Sequence, residues 1–167
     1  MELTTAQDYS YGTLHYCVQY NGTRHILTSS RELTPLWIAR AQGTQFTTTE
    51  VTTTRFSHKG IDDFLSRKVS CTVDTLYAEI IDYVRTYVIL PDEMSYAVVA
   101  LWVMGTYVYR MFRYYPYIHL NAEKGSGKTT LLEILEPICF NGDLSSDSTG
   151  AALFHEVQVN GSTLLLD

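Results

Sequence analysis

Cysteine is scarce, and Cys17, Cys71 and Cys139 stand far apart with no C-x-x-C pair. That spacing excludes a zinc site on paired cysteines and a disulfide framework, and a reducing cytoplasm is the compartment it fits. Positive charge is also in deficit, with 12 Lys and Arg against 18 Asp and Glu for a net −6. The chain therefore lacks the overall positive field of non-specific duplex binders, so any nucleic acid would have to meet a local patch. The start Met1-Glu2-Leu3-Thr4-Thr5 has no positive region followed by an apolar stretch, so it carries no secretory signal. A long apolar run is missing as well. The uncharged residues 97–109 include Gly105, Thr106, Tyr107 and Tyr109 and fall short of the ~20 apolar residues of a membrane span, which leaves a buried core helix and no membrane partner. No internal repeat is visible.

What remains is a globular balance, 46% hydrophobic and 18% charged over 167 residues, enough for one medium domain or two small ones. Three stretches differ in texture. Residues 1–70 read as a β-rich region: Thr13-Leu14-His15-Tyr16-Cys17-Val18-Gln19-Tyr20 alternates, Asn21-Gly22 follows, and Thr23-Arg24-His25-Ile26-Leu27-Thr28 runs back. Asn-Gly between two such runs marks a hairpin, because both residues tolerate φ > 0. The threonine-dense residues 44–54 suit a half-exposed edge strand or linker.

Residues 71–115 read as a helical hairpin. A first helix is expected over about 73–89, capped by Thr72, with Leu76, Ile80, Tyr83, Val84 and Tyr87 on one face. Pro91 separates it from a second, over about 92–112, whose first turn holds Asp92 and Glu93 and whose Trp102 and Tyr109 are large contact residues.

Residues 116–167 carry the chemistry. Ala122-Glu123-Lys124-Gly125-Ser126-Gly127-Lys128-Thr129 fits a phosphate-binding loop, the Walker A pattern, with Ala where its first Gly usually sits. Such a loop wraps backbone N–H groups around phosphate oxygens, and Gly125 and Gly127 supply the positive φ this needs. Lys128 would reach the terminal phosphates and Thr129 would place its hydroxyl on Mg²⁺, while a helix opening at the loop turns its N-terminal dipole to the anion. Tyr117-Ile118-His119-Leu120-Asn121 reads as a strand feeding the loop, and Leu131, Ile134, Leu135 and Ile138 recur at helical spacing after it. Pro137 ends that helix near Glu136. A short strand over 143–146, a helix over about 151–157 capped by Thr149, and the turn Asn160-Gly161 follow.

Ser162-Thr163-Leu164-Leu165-Leu166-Asp167 is an apolar strand ending in a carboxylate, as a Walker B strand does. Its Asp167 would lie at the carboxyl end of a parallel strand, where ligands of α/β sheets bind, and would hold the Mg²⁺ shell through water. The order strand, helix, strand, helix, strand predicts an α/β parallel sheet of the phosphate-loop NTPase kind, incomplete in this chain. The nucleotide-binding set is thus Ala122, Glu123, Lys124, Gly125, Ser126, Gly127, Lys128, Thr129 and Thr130. Lys128 and Asp167 are the catalytic pair, Thr129 and Asp167 the metal ligands, and ATP and Mg²⁺ the cofactors.

These motifs, with Ala100-Leu101-Trp102, Gly105-Thr106-Tyr107, Phe112, Pro116-Tyr117 and Ser148-Thr149-Gly150-Ala151-Ala152-Leu153-Phe154, resemble the ATPase domain of helicase-like proteins of phages, plasmids and mobile elements. The similarity covers residues 95–167. That family is similar to AAA+ and superfamily 3 helicases, so the resemblance implies ATP hydrolysis coupled to work on DNA, with Lys128, Thr129 and Asp167 in the roles above. In such enzymes a glutamate, a polar sensor and an arginine finger follow the Walker B aspartate. The chain is therefore expected to be the front of a longer protein, with turnover, a homo-oligomeric ring and DNA translocation belonging to the full length.

Two other readings stay open: a phosphate-loop kinase or phosphotransferase, and a nucleotide-binding fragment that hydrolyses nothing. Motor families insert a strand between the loop strand and the Walker B strand, so a gap of ~10 Å instead of ~4.8 Å is expected between residues 117–121 and 163–167. The histidines 15, 25, 58, 119 and 155 lack metal spacing and read as packed or surface residues. Arg110 and Arg113 read as a solvated helix end.

Overall fold

The structure, a computed structural model, describes residues 2–4, 6–46, 53–68, 70–145, 157 and 160–167. The chain divides into two compact units, Met1–Ser70 with Gly150–Gly161, and Cys71–Thr149 with Ser162–Asp167.

In the first unit, β1 (Glu2–Leu3) pairs in parallel with β6 (Gln45–Phe46), and β2 (Gln7–Ser10), β3 (Thr13–Tyr20), β4 (Thr23–Thr28) and β5 (Leu33–Pro35) form an antiparallel sheet in that order. Asn21 and Gly22 turn β3 into β4 with φ of 48° and 77°, both in the left-handed region that a two-residue hairpin of this hand requires. Both faces of the hairpin are covered. Cys17 and Ile26 pack with Leu36 and Ala39 of α1 (Leu36–Ala41), and Val18 and Leu27 pack with Ile61 of α2 (His58–Leu65). Within the threonine-dense stretch only β6 and a single bridge from Thr54 to Val18 carry pairing, and residues 47–52 lie outside the described part.

In the second unit, α3 (Val73–Tyr87) begins at a capping box in which Thr72 and Thr75 accept from each other's backbone N–H. α4 (Glu93–Thr106) begins where the Asp92 carboxylate accepts from Ser95 N at 2.7 Å, so Pro91 stands just outside the helix and not in its first turn. α4 stops at Thr106, short of the expected residue 112. Beyond it the chain tightens into a 3₁₀ turn, Tyr109–Met111, and Tyr107 and Tyr109 lay their rings against Phe140 at 5.7 and 6.4 Å. Ile80, Val84, Val99, Ala100 and Val103 of the hairpin share one core with Leu131, Leu132 and Leu135 of α5 (Lys128–Leu135) and with Leu165. β7 (Gly142–Ser145) pairs in parallel with β8 (Thr163–Leu166), and the helix expected over 151–157 falls almost wholly outside the described residues.

This corrects the expected fold class. The largest sheet is the antiparallel β2–β5, and parallel pairing is confined among the described residues to β1–β6, β7–β8 and the Val18–Thr54 bridge, so no parallel phosphate-loop NTPase sheet is formed. Residues 117–121 are not a strand. β-like composition makes a strand only where a neighbouring backbone takes its hydrogen bonds, and the described ladder of β8 runs to β7 alone. Residues 117–120 and 164–167 instead line a common cavity of about 370 Å³. Among the described residues no helix is long and apolar enough to cross a membrane.

Candidate phosphate-binding site

The loop lies between an anchored lead-in and a buried helix. Trp102 Nε1 on α4 donates to Pro116 O at 2.9 Å, and the Tyr115 hydroxyl donates to Trp102 O. Burial pushes the Tyr115 phenol up to about 12, so it keeps its proton and remains a donor at neutral pH. These two bonds tie the chain to α4 just before residues 117–121. After the loop, Leu131, Leu132, Ile134 and Leu135 are buried, which fixes α5 through its apolar face.

Between these anchors the backbone takes the two left-handed positions expected, Gly125 at φ +83° and Gly127 at +88°. Gly127 is the N-cap of α5 and accepts from Leu131 N at 2.9 Å. Ala122 is not among the positive-φ residues, so its methyl group meets no backbone penalty where the pattern usually has glycine. The loop side is exposed from Asn121 to Ser126, and Lys128 is half-buried.

Lys128 bends back over its own loop. Its ammonium donates to Ala122 O at 2.5 Å and Glu123 O at 2.8 Å, so those carbonyls occupy donors that a phosphate would take. Thr129 Oγ1 donates to Asp167 Oδ2 at 2.5 Å. The start of α5 and the residue after β8 therefore meet. Among the described residues no group of three His, Cys, Asp or Glu side chains is placed to hold a metal. Thr129 and Asp167 offer oxygen donors only, the chemistry of a hard cation such as Mg²⁺ that keeps most of its waters, so the donor set fits that ion.

Thr130 is exposed on α5. His119 is exposed and Arg113 stacks on Tyr114 at 5.4 Å, while Arg110 lies 5.1 Å from the Tyr109 ring and donates to its hydroxyl. Sequence reasoning missed the walls of the site. The clamp Trp102–Tyr115–Pro116 is one. The other is a cavity of about 690 Å³ that takes in Ser126, Gly127 and Lys128 together with Ile89, Pro91, Met94 and Val98 of the α3–α4 hairpin. The signal for it was a cluster of apolar residues around Pro91 that no helical face required. Compared with protein-family models, with curated proteins and with solved structures, the chain matches none.

Proposed function

We propose that the chain binds ATP with Mg²⁺ through residues 122–130 and Asp167. The observation that carries this is the meeting of the Thr129 hydroxyl and the Asp167 carboxylate at 2.5 Å, beside the N-terminal turn of α5 that Lys128 begins. Backbone N–H groups of the glycine loop and of that turn take the phosphate oxygens. Lys128 exchanges the carbonyls of Ala122 and Glu123 for the terminal phosphates. Thr129 and Asp167 are the residues that would hold Mg²⁺, which supplies charge neutralisation on the phosphates when bound.

Calorimetric titration of ATP and Mg²⁺ into the wild type and Lys128→Ala tests the site. A hydrogen bond to a charged group contributes about 1.5–3 kcal/mol, so the variant is expected to bind roughly ten- to hundredfold more weakly. No binding by the wild type, or equal binding by both, overturns the proposal.

Within that reading the chain is the nucleotide-binding part of a helicase-like ATPase working on DNA in phage or mobile-element replication, as a homo-oligomer in the cytoplasm. The loop and its carboxylate partner support the ATPase part, and the free thiols of Cys17, Cys71 and Cys139 suit a reducing compartment. Phosphate release that rises with added single-stranded DNA is the expected result. Transfer of the phosphoryl group to a small acceptor would point to a phosphotransferase, and binding without release to a nucleotide-binding module.

A further inference from the structure

The cavity that reaches the phosphate loop is larger than phosphates need. At about 690 Å³ it falls in the range of about 300–1,000 Å³ typical of whole small-molecule sites. Besides Ser126, Gly127 and Lys128 it takes in the α3–α4 connector and the first turns of α4. Its apolar residues there are unusually open to solvent, Ile89 at 93%, Met94 at 70% and Val98 at 48% exposure. Single exposed apolar side chains are ordinary, but here they line one cavity with Pro91 and a phosphate loop.

We infer that this cavity is a nucleoside subsite, in which Ile89, Pro91, Met94 and Val98 contact the base of a purine nucleoside triphosphate whose phosphates lie on the loop. The inference rests on the phosphate-binding reading of residues 122–129. A purine presents a flat apolar face larger than a pyrimidine's, and contact with these side chains removes apolar area from water on both partners. Met94 adds a polarisable thioether able to lie against an aromatic ring.

The connector also limits how the base is read. The Tyr96 hydroxyl accepts from Leu90 N at 2.9 Å and donates to Val88 O at 3.2 Å, and the Asp92 carboxylate accepts from Ser95 N and Oγ at 2.7 and 2.8 Å. These polar groups are committed to holding the hairpin, so they do not read the edge of a base. On its hairpin side the subsite therefore holds a base by contact area, which is larger for a purine than for a pyrimidine, while the polar side chains of His119 and Asn121 line the loop side of the cavity.

The test is the double variant Ile89→Ser/Met94→Ser, whose positions are exposed and outside the core. Inorganic tripolyphosphate with Mg²⁺ probes the loop alone, and ATP, GTP and CTP with Mg²⁺ probe loop and subsite together. In the wild type, ATP and GTP are each expected to bind roughly tenfold or more tighter than tripolyphosphate and CTP. The double variant is expected to lose that advantage while binding tripolyphosphate as the wild type does. A wild type that binds tripolyphosphate as tightly as ATP, or a variant that keeps the ATP advantage or weakens both ligands equally, overturns the subsite and leaves the loop standing. A wild type that binds neither ligand removes the loop reading, and the subsite with it.

Discussion

The hydroxyl of Thr129 and the carboxylate of Asp167 are 2.5 Å apart although 38 residues separate them in the chain. The parallel pairing of β7 with β8 and the Thr163 hydroxyl, which donates to Phe140 O at 2.7 Å, bring the end of the chain back to α5. If these two oxygens share a cation, removing the carboxylate charge uncouples nucleotide binding from Mg²⁺. Asp167→Asn is expected to bind ATP with Mg²⁺ no more tightly than the wild type binds ATP in EDTA. A variant that still gains affinity from Mg²⁺ would remove Asp167 from the metal site.

The loop's small residues are not equivalent. Gly127, at φ +88°, has nothing within 4 Å of where a Cβ would lie, so the cost of Gly127→Ala is conformational, about 1–2 kcal/mol for a left-handed alanine. The variant is expected to unfold at lower temperature and to bind nucleotide more weakly as the helix start shifts. Ala122→Gly, at a position without positive φ, is expected to change neither binding nor melting temperature beyond the small entropic cost of glycine.

Some of this was open to reading in the chain and some was not, and the division follows how local each cause is. Asn21-Gly22, the Thr72 cap, the Pro137 stop and the loop glycines act through their own dihedrals and nearest hydrogen bonds, so they are visible in a few residues. Residues 117–121 have the composition of a strand, but a strand needs a partner backbone, and composition does not say where one lies. The end of α4 depends on aromatic packing against Phe140, far along the chain. The cavity beside the loop needed Pro91 and its apolar neighbours to face Gly127, a relationship no spacing rule contains.

Thr106 joins the end of α4 to the segment after α5. Its buried hydroxyl donates to Val103 O at 2.6 Å and accepts from Phe140 N at 3.0 Å. Thr106→Val keeps the shape but leaves the Phe140 N–H without that acceptor, at a cost of about 1–3 kcal/mol. Urea unfolding is expected to show a lower midpoint with an unchanged slope. An unchanged midpoint would mean that the amide finds another partner.

Asp92 links stability to acid. Hydrogen bonds from the Ser95 backbone and then the Ser95 side chain hold its carboxyl below the usual 3.8. A group with a lowered folded value stabilises the fold above its unfolded value and loses that contribution as pH falls through the folded one. The gap in melting temperature between the wild type and Asp92→Ala is therefore expected to be constant near neutrality and to narrow below about pH 3.8. A gap that stayed constant into strong acid would remove the charged cap as its source.

The thiols should react unequally. Burial pushes Cys17 up to about 11 and Cys139 up to about 12, whereas Cys71 is exposed. Since the thiolate is the nucleophile, native alkylation at neutral pH is expected to modify Cys71 first, and the other two only as the chain unfolds. Mass spectrometry of the labelled peptides reads the order directly, and early labelling at Cys139 would show that the core under α5 opens in the native state.

Gly105 stands on α4, outside the loop, yet it holds a constraint on it. A Cβ there would collide with the phenol of Tyr115, the group that donates to Trp102 O and helps tie the lead-in to α4. Empty space at one helix position is thus what allows the chain to be moored at the right point before it turns into the loop. A mutational survey scored on nucleotide affinity would rank this hydrogen-only position beside charged ones, and side-chain bulk at Gly105 would act as a remote adjustment of where the loop begins.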